Sequence, residues 1–195
     1  MKIDQLKNLG LPNWLTIGRI AAVPVIVLLL QFGGGGKAVS IFTAVLFILA
    51  ILTDLLDGYL ARRYHQITNL GRFLDPLADK LLNLAALIML IPMDRAAAWL
   101  VVLILGREMA VTGLRAIAAS EGVVISASGL GKQKTVTQNV AIACLLWHYP
   151  LFGLNIHLIG VILLYAALAI TYWSGLAYFK AFFRVLKGQN QEKLS

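Results

Sequence analysis

Four aspartates, Asp54, Asp57, Asp75 and Asp79, stand in the spacing D-x-x-D-G-x-x-A-R-x8-G-x-x-x-D-x-x-x-D, interleaved with Gly58, Ala61, Arg62 and Gly71. The chain has nine acidic residues, and four of them fall in this short window. Read as a helix at about 100° per residue, Asp54, Asp57, Gly58, Ala61 and Arg62 share one arc of roughly 140°. Asp75 and Asp79 are i and i+4, so they also share a face. Converging carboxylates repel unless cations bridge them. An all-oxygen donor set without a Cys or His cluster favours Mg²⁺ or Mn²⁺ over zinc. Four such ligands suit two ions, an arrangement that clamps a phosphoryl group on its attacking and leaving sides. Gly58 and Ala61 clear bulk from the carboxylate face, and Arg62 adds a fixed cation suited to phosphate oxygens. Any one aspartate has an ordinary explanation as a helix cap or interfacial charge. Four at these spacings do not share one.

The surroundings are apolar. Hydrophobic residues make up 59% of the 195-residue chain and charged residues 13%, with a mean hydropathy of +0.81. That is the composition of an integral membrane protein, and the length suits a single domain over 1–195. The net charge of +8 lies between apolar runs, as positive-inside loops do, so no nucleic-acid partner is expected. The single cysteine, Cys144, forms no intrachain disulfide. Arg19 and Pro24 interrupt the first apolar run and no cleavage site follows it, so it reads as a retained span and not a signal peptide.

Runs long enough to cross about 30 Å of hydrocarbon fall at 14–32, 38–58, 75–93, 96–118, 133–152 and 155–180. The expected fold is therefore all-α and polytopic, with six transmembrane helices after a short interfacial helix at 2–9. Turns are expected at Gly33–Gly36, at Pro92–Arg95 and around Pro150 and Gly153. Asp75-Pro76 suits a helix start. Lys and Arg gather at the N-terminus, between Arg62 and Arg72, between Arg115 and Lys134, and at the C-terminus. Only Lys37 and Arg95 lie opposite, which places both termini in the cytoplasm. From Ala38 to Asp54 is about 24 Å of helix, and from Pro92 back to Asp79 about 20 Å. The two carboxylate pairs thus meet near the inner headgroup layer, where lipid phosphates lie.

The aspartate pattern resembles the signature of the CDP-alcohol phosphatidyltransferase family, and every specified position matches. The resemblance implies a homodimeric helical enzyme of the inner (cytoplasmic) membrane. Such enzymes move a phosphatidyl group from CDP-diacylglycerol to an alcohol and release CMP. It makes Asp54, Asp57, Asp75 and Asp79 the metal ligands, with Asp79 also the general base. It puts Gly58, Ala61, Arg62, Thr68 and Gly71 around the cytidine diphosphate. Pro12-Asn13-Trp14-Leu15-Thr16 resembles a family segment that holds the nucleotide, which adds Asn13 and Thr16.

A second polar set bears on the acceptor. Arg107 is deep in the fourth span, with Glu108 beside it and Thr112 and Arg115 following. An arginine at that depth should face the interior or a cavity and have a partner. Residues one apart on a helix do not face each other, so Arg107 and Glu108 are expected to pair elsewhere. An interhelical ion-pair network would explain these residues; so would an anion pocket of Arg107, Thr112, Arg115, Lys132 and Lys134. Arg-Glu-x-x-x-Thr-Gly-Leu-Arg at 107–115 and Gly-Lys-x-Lys-Thr at 131–135 resemble the family's bacterial phosphatidylglycerophosphate synthase branch. That implies glycerol 3-phosphate as acceptor. Inositol phosphate or phosphatidylglycerol as acceptor would use the same chemistry.

Two other classes compete. A carboxylate-based cation transporter would carry its acids at the bilayer midplane on interrupted, inverted-repeat helices, and neither feature is present. An intramembrane prenyltransferase would need more spans and two separated aspartate motifs. His65, His148 and His157 are expected to be unclustered packing or interfacial residues, Trp99, Trp147 and Trp173 belt or packing residues, and Asn83 a partner of Asp79 or of another helix.

Overall fold

A computed structural model describes the backbone of residues 11–33, 35–64, 69–120 and 129–192, and the side chains of 16–33, 35–53, 77–120, 131 and 133–176. The described chain is all-α: α1 (Leu11–Phe32), α2 (Lys37–Tyr64), α3 (Asn69–Leu90), α4 (Ala98–Ser120), α5 (Gly129–Trp147) and α6 (Ile156–Glu192). The expected interfacial helix at 2–9 lies outside the described residues. Apolar runs rich in Leu, Ile, Val and Ala form these helices because each backbone N–H and C=O is then satisfied within its own segment. Ile156–Leu176 is long and apolar enough to cross a bilayer, while Thr16–Phe32 and Lys37–Thr53 are shorter apolar stretches.

α1 packs on α2 and α3, α2 on α5, and α5 along α6, while α4 leans mainly on α6. Ile26, Phe47, Leu82, Leu87, Leu90, Leu100, Ile142, Leu145 and Leu164 fill the shared core. The outward faces are apolar too: Phe32, Val102, Met109, Trp173 and Leu176 are all well exposed. Helices that are hydrophobic on every side suit a lipid solvent and would be a liability in water. Gly160 permits the α5–α6 contact, since a Cβ there would come within 2.9 Å of the Leu145 side chain. Arg19, which interrupts the first apolar run, is buried and donates from Nε to the Ala50 carbonyl at 3.3 Å.

Several boundaries differ from expectation. α3 begins at Asn69, so Asp75-Pro76 lies inside the helix instead of starting it. Leu70, Arg72, Phe73 and Leu74 can all continue a helix, so the turn before Pro76 is helical already. α5 ends at Trp147, short of the expected 152, because His148 turns to φ 63° and Phe152 and Gly153 also take positive φ. α2 runs unbroken to Tyr64, so Asp54, Asp57, Gly58, Ala61 and Arg62 do lie on one continuous helix.

The three turns expected from Gly and Pro are present, and Arg95 ties them together. Its guanidinium is buried and donates to the Leu146 carbonyl at 3.0 Å, the Gly35 carbonyl at 3.1 Å and Ser40 Oγ at 2.8 Å. Tyr149 Oη also donates to the Gly35 carbonyl, at 3.1 Å. A cation at the α5 C-terminus satisfies carbonyls the helix leaves over and opposes its dipole. Arg95→Ala should therefore lower the thermal unfolding midpoint in detergent, from a loss on the order of 3 kcal/mol. An unchanged midpoint would show that the turns hold without it.

The histidines correct the reading from sequence. His148 Nδ1 lies 3.2 Å from His157 Nδ1, with ring centroids 4.7 Å apart, so these two are paired across the α5–α6 connection. His65 lies outside the described residues. Trp147 packs on the core, whereas Trp99 and Trp173 are exposed.

Candidate active site

A cavity of about 840 Å³ opens between α3, α4 and α5. It exists because α4 leans on α6 and touches α3 only lightly, leaving a wedge on its α5 side. α3 contributes Asp79, Lys80 and Asn83, α4 contributes Arg107, Glu108, Thr112 and Arg115, and α5 contributes Gly131, Lys134 and Gln138. Leucines, valines, Met109 and Thr135 complete the wall. The volume and the mix of apolar lining with a few convergent polar groups are those of a small-molecule site.

The polar groups fall in two tiers. Toward the end of the bundle where α3 begins and α4 ends, Lys80, Thr112 and Arg115 are exposed. Lys80 Nζ donates to Thr112 Oγ1 at 2.6 Å, which joins α3 to α4. Further in, Lys134 is buried and forms an ion pair with Glu108, joining α5 to α4. Arg107 Nη2 donates to Ser174 Oγ on α6 at 2.6 Å. Gly175 leaves room for that contact, since a Cβ there would lie 3.2 Å from Arg107 Nε. Arg107 and Glu108, expected to pair only elsewhere, also touch each other at 3.4 Å. Their long side chains bend together although their Cβ atoms diverge.

Charge decides what this cavity can hold. Its described wall carries four cations, Lys80, Arg107, Arg115 and Lys134, against two carboxylates, Asp79 and Glu108. Lys134 and Arg107 already engage Glu108. The balance is positive, in a cleft whose apolar walls weaken solvent screening, so the preferred guest is an anion such as a phosphomonoester.

Of the expected acceptor-site residues, Arg107, Thr112, Arg115 and Lys134 all line this one cavity together with Asp79. The side chain of Lys132 lies outside the described residues, as do those of Asn13, Asp54, Asp57, Ala61, Arg62 and Asp75, and the whole of Thr68. Thr16 is buried on α1. The backbone still constrains the aspartates. α2 and α3 are joined by four residues and touch, so they run in opposite directions. Asp54 lies ten residues before Tyr64 and Asp79 ten residues after Asn69, which puts them at the same level. Asp57 and Asp75 are likewise level, nearer the connection. Gly58 and Gly71 lie on the same stretches of α2 and α3.

The donor chemistry fits a hard divalent ion. Among the described residues no His or Cys lines the cavity, Asp79 is on its wall, and Glu108 is occupied by cations. Among the described residues no three metal-binding side chains converge, but these include only Asp79 of the four aspartates.

Reading the sequence missed two residues of the wall, Lys80 and Gln138. Lys80 directly follows Asp79, and a lysine within an apolar run is signal enough to question. Gln138 lies one turn beyond Lys134, on the same face. Asn83, expected to meet Asp79 or a neighbouring helix, is buried with no donor at its carboxamide oxygen.

Residues 9–173 match the family described as CDP-alcohol phosphatidyltransferase. The chain is 44% identical to the CDP-diacylglycerol–glycerol-3-phosphate 3-phosphatidyltransferase of Bacillus subtilis (strain 168), over 93% of this chain and 99% of that protein. It is 42% identical to the protein of the same name from Rickettsia bellii (strain RML369-C), over 93% and 97% of the two chains. It is also 36% identical to a cardiolipin synthase (CMP-forming) of Oryza sativa subsp. japonica, over 92% of this chain and 59% of that one.

Proposed function

Because this chain belongs to the CDP-alcohol phosphatidyltransferase family, we propose that it transfers the phosphatidyl group of CDP-diacylglycerol to sn-glycerol 3-phosphate. The products are phosphatidylglycerophosphate and CMP. One observation carries the acceptor assignment: Asp79 opens onto the same cavity as Lys80, Arg107, Arg115 and Lys134. A base beside a cation cluster is what an alcohol bearing a phosphate requires. The relatives named for this reaction, at 44% and 42% identity over nearly their whole lengths, support the same reading.

Asp79 accepts the proton of the primary hydroxyl, and that oxygen forms a bond to the lipid-bearing phosphorus. The bond from that phosphorus to the bridging oxygen breaks, and the bridging oxygen leaves with CMP. Lys134, Arg107 and Arg115 hold the acceptor phosphate, and Arg62 offers charge to the leaving nucleotide. Asn13, Thr16, Gly58, Ala61, Thr68 and Gly71 surround the cytidine diphosphate. Asp54, Asp57, Asp75 and Asp79 would hold two Mg²⁺ or Mn²⁺ ions, which would supply positive charge to neutralise the pyrophosphate. Among the described residues of the cavity wall no Ser, Cys or His is set up as a covalent nucleophile, which supports direct transfer.

The whole chain forms one membrane domain of six spans, with both termini and the site on the cytoplasmic side of the inner membrane, acting as a homodimer. The outward apolar faces and the distribution of Lys and Arg support that placement. Purified protein with CDP-diacylglycerol, Mg²⁺ or Mn²⁺ and a panel of alcohols should release CMP with glycerol 3-phosphate. Release with inositol phosphate or phosphatidylglycerol alone would reassign the acceptor. No release with any alcohol would reject the reaction.

A further inference from the structure

Asn83 and Gln138 are 7% and 4% exposed, both on the wall of the α3–α4–α5 cavity, and the carboxamide oxygen of each is buried without a hydrogen-bond donor. A buried acceptor left unpaired costs about 1–3 kcal/mol, so two on one cavity wall are unusual for packing residues. Their register adds to this. Asn83 lies one turn deeper than Asp79 on α3, and Gln138 one turn deeper than Lys134 on α5. Two carboxamides from facing helices therefore form a polar floor beneath the base and the phosphate-binding cation. A carboxamide turns readily about its last bond, so its oxygen can be offered to a guest.

We propose that Asn83 and Gln138 form a hydroxyl subsite that recognises the secondary alcohol of the acceptor. The inference rests on the proposed acceptor, and elimination leads to it. In glycerol 3-phosphate the primary hydroxyl goes to Asp79 and the phosphate to the cations. The secondary hydroxyl is the remaining polar group. Among the described residues of the wall, one carboxamide oxygen accepts its proton while the other carboxamide, turned to present its NH₂, donates to its oxygen. An acceptor lacking that hydroxyl leaves both carboxamides without this partner, and sites built to hydrogen-bond a hydroxyl reject such analogues strongly.

The test compares kcat/KM for glycerol 3-phosphate with that for 3-hydroxypropyl phosphate, which keeps the primary hydroxyl and the phosphate. The wild-type ratio should be about 10⁴. Asn83→Leu and Gln138→Met, close in volume to the native residues, should each bring the ratio down at least tenfold, chiefly through the glycerol 3-phosphate value. A residue serving only packing would lower both values together and leave the ratio where it was. A wild-type ratio near one overturns the subsite whether or not either variant folds, and leaves the proposed reaction standing. Absence of any glycerol 3-phosphate turnover overturns both.

Discussion

Asp79→Asn is expected to lower turnover by about 10²- to 10⁴-fold, the usual worth of a positioned general base, while CDP-diacylglycerol binding stays measurable. The substitution keeps the shape of a side chain on the cavity wall and removes its ability to accept a proton. Asp79 is also an expected metal ligand, so the measurement must be made over a wide range of Mg²⁺ and Mn²⁺ concentrations. If high metal restores near-normal rates, Asp79 holds an ion and another group takes the proton. If turnover stays low while nucleotide binding saturates normally, the loss lies in the chemical step. The proposed mechanism requires the second result.

Lys134→Met should raise the KM for glycerol 3-phosphate about 10- to 100-fold, with a much smaller change for CDP-diacylglycerol. The magnitude follows from one charge-assisted hydrogen bond of roughly 1.5–3 kcal/mol. Lys134 is buried, so solvent and salt weaken its field little. Arg115 is exposed and Arg115→Ala should have a smaller and salt-dependent effect. Lys134 also pairs with Glu108, and removing it leaves a carboxylate facing the acceptor. The double variant Lys134→Met, Glu108→Gln removes that complication and should still show the acceptor-specific loss. Equal rises in both KM values would mean that Lys134 holds α4 to α5 and does not bind phosphate.

Much of the fold was legible before any coordinates. Gly35 with φ 71°, and the breaks at Pro92 and Pro150, follow from local chemistry, because only certain residues tolerate those turns. Helix lengths were less legible. A hydropathy run ends where polarity begins, but a helix ends where its backbone finds other partners, so α2 reaches Tyr64 and α5 stops at Trp147. Asp75-Pro76 misled for the same reason, since a proline tolerated at a helix start is not obliged to begin one. The His148–His157 pair was hidden because two residues nine apart meet only when the connection between α5 and α6 folds back on itself.

The acidic motif was legible without coordinates: its residue types and helical spacing raise the expectation of a hard divalent cation, since converging carboxylates repel unless cations bridge them. The same holds for the all-α class, which follows from apolar runs that must satisfy their own backbones. The proposed acceptor pocket is different. Arg107, Arg115 and Lys134 are scattered along α4 and α5, and they become one site with Asp79 only because α4 leans toward α6 and leaves a wedge beside α3. Which cations face that wedge, which carboxylate they neutralise, and which carboxamides are left without donors depend on interhelical packing. Contacts between distant segments are set by the shapes of whole helix faces, and spacing along a single chain does not encode them.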